Sequence, residues 1–202
     1  MTATYVVTDI EATGFRPGRH SMLSFASVAV TGSGEERGRF EAVLAELPGA
    51  GWDPGTRSWF ETSEPEALSA ATTDPRDPGE VMADFVTFVR GLPGPRVFAA
   101  RPVAFDGSWI DHYLRLFTDH QLLDGFYDED PLFHDSLCLS SYAAAVLGLS
   151  VPAVTPTTFP PEWLGNVPHT HRAIDDAVGY AHLLAELLRR TGVTGRVSQD
   201  GP

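Results

Sequence analysis

The chain has little cysteine, little positive charge and no long apolar run, and each shortage closes off a class of protein. Cys138 is the one cysteine in 202 residues, so no intrachain disulfide framework is available and stability must come from a packed core. Lys and Arg total 14 against 27 Asp and Glu, a formal net charge of −13. Such a chain lacks long-range attraction for a phosphate backbone unless bound cations reverse the local field, which argues against a generic nucleic-acid coat protein. Asp, Arg or Pro interrupts every apolar stretch well before the ~20 residues a membrane helix needs, so no membrane segment is expected. The opening Met1-Thr-Ala-Thr-Tyr-Val-Val-Thr-Asp9 has neither a basic n-region nor a long apolar h-region, and a cytoplasmic location is the expectation. What remains is ordinary for a globular protein, with 43% hydrophobic and 20% charged residues, and disordered, collagen-like and coiled-coil chains are ruled out. At about 150 residues per domain the length suits one domain, expected over 1–190 with a flexible C-terminal tail over 191–202. A chain of this mass can bury about 70% of its unfolded surface.

The apolar pattern predicts an opening meander. Tyr5–Ile10 and Met22–Thr31 read as strands, and Gly38–Leu47 as a third, antiparallel to the second. From Pro48 to Pro78 the pattern weakens to Gly/Pro punctuation around Trp52, Trp59 and Phe60, with a short helix at Pro65–Ala71. Asp77-Pro78-Gly79-Glu80 then gives a cap, a proline at the first helical position and an acid at the third, followed by Val81, Phe85, Phe88, Val89 and Leu92 at helical spacing up to a stop at Gly91. Arg96–Ala100 reads as a strand. Asp106 reads as the N-cap of a helix with Trp109, Ile110, Tyr113, Leu114 and Phe117 on one face. Further helices are expected over Asp135–Gly148 and Arg172–Arg190. The fold class is α/β, a mixed sheet with an antiparallel opening meander and then parallel strands, flanked by helices.

Three acid-x-acid pairs occur, Asp9/Glu11, Glu64/Glu66 and Asp128/Asp130, against roughly 3.6 expected from composition, so the pairing alone carries no information. Only Asp9/Glu11 ends an apolar strand. Residues two apart on a strand project to one face, and carboxylate oxygens suit hard divalent cations. Asp106 stands at a strand-to-helix junction, and His171 precedes Asp176 at the start of the last helix. A solvated strand end, an N-cap, a surface histidine and first-turn acids would account for these features one at a time.

Taken in order, they resemble the DEDDh family of 3′–5′ exonucleases, the DnaQ-like group of the ribonuclease H-like superfamily. Asp9-Ile-Glu11-Ala-Thr13-Gly14 is similar to the family's first motif, Val103-Ala-Phe105-Asp106-Gly-Ser-Trp109 to its second, and His171-Arg-Ala173-Ile-Asp-Asp176-Ala177 to its third, over about residues 4–190. Asp53-Pro-Gly-Thr56-Arg-Ser-Trp59-Phe60 also looks like a stretch found in bacterial and phage exoribonuclease-like proteins. Arg101-Pro102-Val103 stands where the family often has an Asn-Ala pair.

The resemblance implies a ribonuclease H-like fold and hydrolysis of phosphodiester bonds, with release of nucleoside 5′-monophosphates from single-stranded RNA or DNA 3′ ends. It implies two Mg²⁺ or Mn²⁺ ions held by Asp9, Glu11, Asp106 and Asp176, with His171 as the general base. In that scheme Thr13 and Gly14 bring backbone N–H groups to the terminal nucleotide, and Phe15, Trp59 and Phe60 stack on bases. A homodimer is expected by family analogy. The alternatives are a non-catalytic nucleic-acid- or protein-binding module on the same fold, and a proofreading exonuclease partnered with a polymerase. The net charge of −13 predicts few phosphate contacts and a shallow salt dependence. His112, His120, His134 and His182 show no ligand spacing, Cys138 is expected in the core, and Asp128-Glu129-Asp130 is expected to be a solvated loop.

Overall fold

A computed structural model describes residues 2–123 and 129–192. The elements run β1 (Thr4–Ala12), β2 (Met22–Thr31), β3 (Glu36–Val43), α1 (Pro54–Ser63), α2 (Pro65–Thr72), α3 (Pro78–Arg90), β4 (Arg96–Ala100), α4 (Val103–Phe117), β5 (Asp135–Cys138), α5 (Leu139–Leu147) and α6 (Ala173–Thr191), with three short 3₁₀ turns between α5 and α6. The five strands form one sheet in the order β3-β2-β1-β4-β5. The β1–β2 and β2–β3 pairs are antiparallel, and β1–β4 and β4–β5 are parallel. This is the mixed sheet, an antiparallel meander followed by parallel strands, that the hydrophobic pattern anticipates.

The central strands β1, β2 and β4 are buried on both faces because both faces are covered. Val6 and Ile10 of β1 pack with Phe25, Met82, Phe85, Trp109 and Tyr113 on the α3/α4 side. Tyr5 and Val7 pack with Val28, Ala99, Leu139, Ala177, Leu184 and Leu187 on the α5/α6 side. The period of two then directs Asp9 and Glu11, which continue the Tyr5–Val7 face, toward α6. The register slips between Glu11 and Ala12 where β1 pairs with β2, and such bulges re-aim side chains at a strand end.

Several boundaries differ from the sequence reading. The stretch 48–78 holds a helix, α1, that the pattern does not announce: Asp53 caps it through Thr56 N–H, Pro54 opens it, and Phe60 is its one buried residue. Without an apolar stripe the periodicity is silent. Asp106 is not an N-cap. Helix α4 starts earlier, at Val103, with Pro102 at the cap position, which places Asp106 inside the first turn with its side chain buried. The helix expected over Asp135–Gly148 begins with four residues of strand, because β5 is claimed by parallel pairing to β4 before the chain turns into α5. The third strand ends at Val43, not Leu47. Cys138 is half-buried at the end of β5 rather than fully in the core. Helix α6 runs through Thr191, the first residue expected in the tail, and the remainder of that expectation from residue 193 on lies outside the described residues, as does Asp128. Asp130 is exposed in the loop before β5, as expected, and from there it pairs with the buried Arg96 and with Arg90. Among the described residues no helix is long and apolar enough to cross a membrane.

Candidate active site

Asp9 and Glu11 leave the end of β1, and Asp176 meets them from the first turn of α6. One oxygen from each lies within 4.8 Å of the others. Asp9 is 9% exposed and Asp176 4%. Asp106 comes from the first turn of α4 at 3% exposure, near enough for its charge to act on both Asp9 and Glu11. Burial, then the neighbouring acids, push Asp9 and Glu11 well above the usual carboxylate range, while Arg101 pulls Asp9 partly back. Burial alone pushes Asp106 up to about 7, against the opposing pull of the backbone N–H groups of Asp106, Ile10 and Arg101. Clustered carboxylates with so little compensation take up protons, or cations, to relieve the repulsion.

The remaining coordination capacity supports the second course. Oδ2 of Asp106 is buried with no hydrogen-bond partner, a costly state for a polar atom that a metal ligand bond would end. An all-oxygen donor set suits Mg²⁺ or Mn²⁺. Asp9, Glu11 and Asp176 would hold one ion, and Asp9 with Asp106 would face a second.

Pro168 and the left-handed backbone of His171, φ +54°, keep the histidines off the helix. His171 sits in the loop before α6, its ring edge-on to Trp59 at 4.9 Å and to His169 at 4.3 Å. Burial, then the neighbouring His169, lowers its pKa, with Asp176 and Glu64 opposing. The sequence reading did not select His169, although it touches the cluster directly: its Nδ1 lies 2.7 Å from Oδ1 of Asp176, and with His171 and Asp176 it forms a second group able to hold a cation. The His-x-His spacing was the available signal. Two further unselected residues flank Asp9. Arg101 follows β4, donates to the Tyr180 hydroxyl at 3.2 Å and lies over the Tyr180 and Phe159 rings at 5.5 and 5.6 Å. Tyr180 was open to a spacing argument, since it stands four residues after Asp176 on α6.

The five expected nucleotide-contacting residues gather next to Glu11. Gly14, Phe15, Trp59 and Phe60 line, with Ile10 and Phe105, an open and mainly apolar hollow of about 410 Å³, a size that takes a small ligand. Phe15 is 69% exposed and Trp59 36%, whereas Phe60 is buried beneath them against Trp52 and Trp59. Thr13 lies behind this wall as a clasp. Its N–H donates to Ser21 O, its hydroxyl to Gly51 O, and its Oγ1 accepts from Ser21 N–H, so both of its donors are spent inside the protein. Gly14 is required on packing grounds, because a Cβ there would come within 2.4–2.7 Å of the buried His20 ring. Gly14→Ala should therefore displace His20 and cost about 1–3 kcal/mol, the usual range for overpacking, read as a lower midpoint in urea.

No family model matches the sequence, and no curated protein matches it either. Solved structures do. The chain superposes on E. coli ExoI in a zinc-bound complex with single-stranded DNA, with a TM-score of 0.63 at 15% identity over 95% of this chain. It spans only 41% of that protein. A 3′-exonuclease described in specific recognition of the histone mRNA stem-loop 3′ end gives 0.65 at 12% identity, covering 99% of this chain and 92% of the other. The nuclease domain of 3′hExo, a DEDDh family member bound to rAMP, gives 0.64 at 12% identity over 98% and 96%. The chain thus shares its fold with these nuclease structures, one of them a member of the family its three motifs resemble.

Proposed function

We propose that the protein is a metal-dependent 3′–5′ exonuclease that hydrolyses single-stranded RNA or DNA to nucleoside 5′-monophosphates, in the cytoplasm. The observation that carries this reading is the convergence of three buried carboxylates and the half-buried Glu11 from three separate elements, one with an unpartnered oxygen, beside an aromatic hollow. A phosphodiester is anionic and resists water. Divalent cations, when bound, would neutralise the phosphate and acidify a water. Asp9, Glu11, Asp106 and Asp176 would hold those ions. The exposed faces of Phe15 and Trp59 hold the terminal base, and the hollow fixes the 3′ end against the acids. His171 accepts the proton of the attacking water at an imidazole nitrogen. Its lowered pKa keeps the ring neutral at pH 7, the form a base must have, and such a base contributes typically ~10²–10⁴-fold. Its contact with Trp59 links the base-holding wall to the proton acceptor.

The test offers labelled RNA and DNA oligomers side by side with Mg²⁺, Mn²⁺, Ca²⁺ or EDTA and follows product size with time. Stepwise 3′ shortening is expected with Mg²⁺ or Mn²⁺ and none in EDTA. Ca²⁺ should bind yet support little turnover, because its loose coordination does not impose octahedral geometry. Undiminished cleavage by rigorously purified protein in EDTA would sink the reading.

Metal demand should also depend on pH. Burial and the neighbouring acids raise Asp9 and Glu11 well above the usual carboxylate range, and burial raises Asp106 to about 7, so as the pH falls a cation must displace protons to bind. The Mn²⁺ concentration giving half-maximal activity should rise as pH falls from 8 to 6. A requirement independent of pH would contradict the proton-loaded site.

A further inference from the structure

A second hollow, of about 560 Å³, adjoins the base-holding one and shares Phe15 and Asp53 with it. Arg16, Arg19, His20 and Trp52 line it. The 14 cationic residues of the chain are all arginine, and most described ones are already neutralised: Arg39, Arg57, Arg76, Arg90, Arg96, Arg115, Arg172, Arg189 and Arg190 each lie within 4.0 Å of a carboxylate, and Arg101 is held over Tyr180. Arg16, Arg19 and Arg37 have no carboxylate partner within 4.0 Å among the described residues and all three are exposed, but only Arg16 and Arg19 share one hollow. In so acidic a chain, two unneutralised guanidiniums side by side make a local positive site where the overall charge is repulsive.

The loop that carries them is pinned. His20 N–H donates to Arg16 O at 2.9 Å, Arg16 N–H donates to His20 Nδ1 at 3.2 Å, and Gly51 N–H donates to Arg19 O at 3.1 Å. Thr13 ties the same turn to Gly51 through its hydroxyl. Little backbone entropy is left to lose on binding. The acids nearby are held in place by neutral donors and keep their charge, which the two guanidiniums must outweigh: Asp53 accepts from the Thr56 N–H and hydroxyl, and Glu46 from Trp52 Nε1. Exposed Phe15 stands between the two hollows, so cations and an aromatic face alternate along one surface leading away from Glu11, the composition of a single-strand path.

We propose that this second hollow is the track for the nucleotides immediately upstream of the scissile bond, with Arg16 and Arg19 taking successive phosphates of single-stranded RNA or DNA. The proposal rests on the exonuclease reading and deepens it, since it gives the strand a direction of approach and limits the firm backbone contacts to about two. Each single-strand contact contributes a salt slope of about 0.7, so two give the shallow dependence that the net charge already suggests.

The test compares wild type with R16A/R19A and R16K/R19K, each checked for folding by circular dichroism. Binding of a fluorescent single-stranded hexanucleotide is followed by anisotropy in Ca²⁺ over a range of salt. Turnover in Mn²⁺ is measured on the same hexamer and on the p-nitrophenyl ester of thymidine 5′-monophosphate, which has no upstream phosphate. R16A/R19A should reduce the salt slope by about 1.4 and lower the ratio of hexamer to ester kcat/KM about tenfold, and the lysine pair should restore most of both. An unchanged slope, or equal losses on hexamer and ester, would overturn the track. A wild type that hydrolyses neither substrate would overturn the exonuclease reading instead, and the anisotropy arm would then decide the track alone.

Discussion

Asp176→Asn should remove nearly all divalent-metal binding and turnover, while Asp175→Asn keeps most of both. The two residues are neighbours in the first turn of α6, and at ~100° per residue they point to different faces. Only Asp176 is aimed at the site: its side chain is 2% exposed, it lies with Asp9 and Glu11 in one cluster, and His169 fixes its Oδ1 at 2.7 Å. Asp175 turns away, with its side chain 32% exposed, to accept from the Thr170 hydroxyl at 2.8 Å and to lie 3.8 Å from Arg172. Loss of an outer-shell partner typically costs a metal site ~10–100-fold, and loss of Asp176 itself should exceed that range. Asp175→Asn should cost only the ~0.3–1 kcal/mol typical of a first-turn acid facing the helix dipole. Calorimetric Mn²⁺ titration, hexanucleotide hydrolysis and circular dichroism on both variants make the comparison. The opposite ranking would mean that α6 presents the other residue, and equal, mild effects would favour the non-catalytic binding module.

The sequence showed this choice because strand and helix periods carry it. Asp9 and Glu11 continue the alternation of Tyr5 and Val7, and Asp176 shares a helical face with Ala177 and Tyr180, all buried against the same side of the sheet. Residue types that obey a period are legible. His169 was not, because its contact with Asp176 depends on the left-handed turn at His171, where nothing in the residue type demands φ +54°. Arg101 was visible only as a departure from a motif. Its partners Tyr180, Phe159 and Val154 come from distant parts of the chain.

The same distinction runs through the fold. Helix α3 was readable to its caps because the Asp77-Pro78 start and the apolar stripe agree. Helix α1 starts with the equivalent Asp53-Pro54 signal, and its invisibility follows from burying Phe60 alone. In that case the cap was the better witness than periodicity. Strand β5 could not be read locally, since Asp135-Ser-Leu-Cys neither alternates nor carries a strand-favouring composition. Pairing with β4 decides its state.

Asp106 is where local reading and tertiary structure disagree most, and the disagreement can be measured. Asp106→Asn should abolish most nuclease activity while making the metal-free protein more stable at pH 8. An N-capping aspartate would stabilise the fold, so its loss should lower the melting temperature. The buried Asp106 does the reverse. Its carboxyl is pushed up to about 7 from an ordinary 3.8, so the folded state binds a proton that the unfolded chain releases between those values. The native state therefore holds more protons over roughly pH 4–7, and stability falls as pH rises through that window. Three pKa units correspond to about 4 kcal/mol at most, and relief of that cost should raise the melting temperature in EDTA by several degrees, at ~2–4 °C per kcal/mol for a chain of this size. The gain should fade toward pH 4, where the wild-type carboxyl is itself protonated. Mn²⁺ should narrow the gap at pH 8, because the wild type has four carboxylates to offer and the variant three. Melting curves at pH 4, 6 and 8, with EDTA and with Mn²⁺, give the full comparison. A lower melting temperature for Asp106→Asn in EDTA at pH 8 would restore the capping role and remove the buried, charge-strained carboxylate from the site.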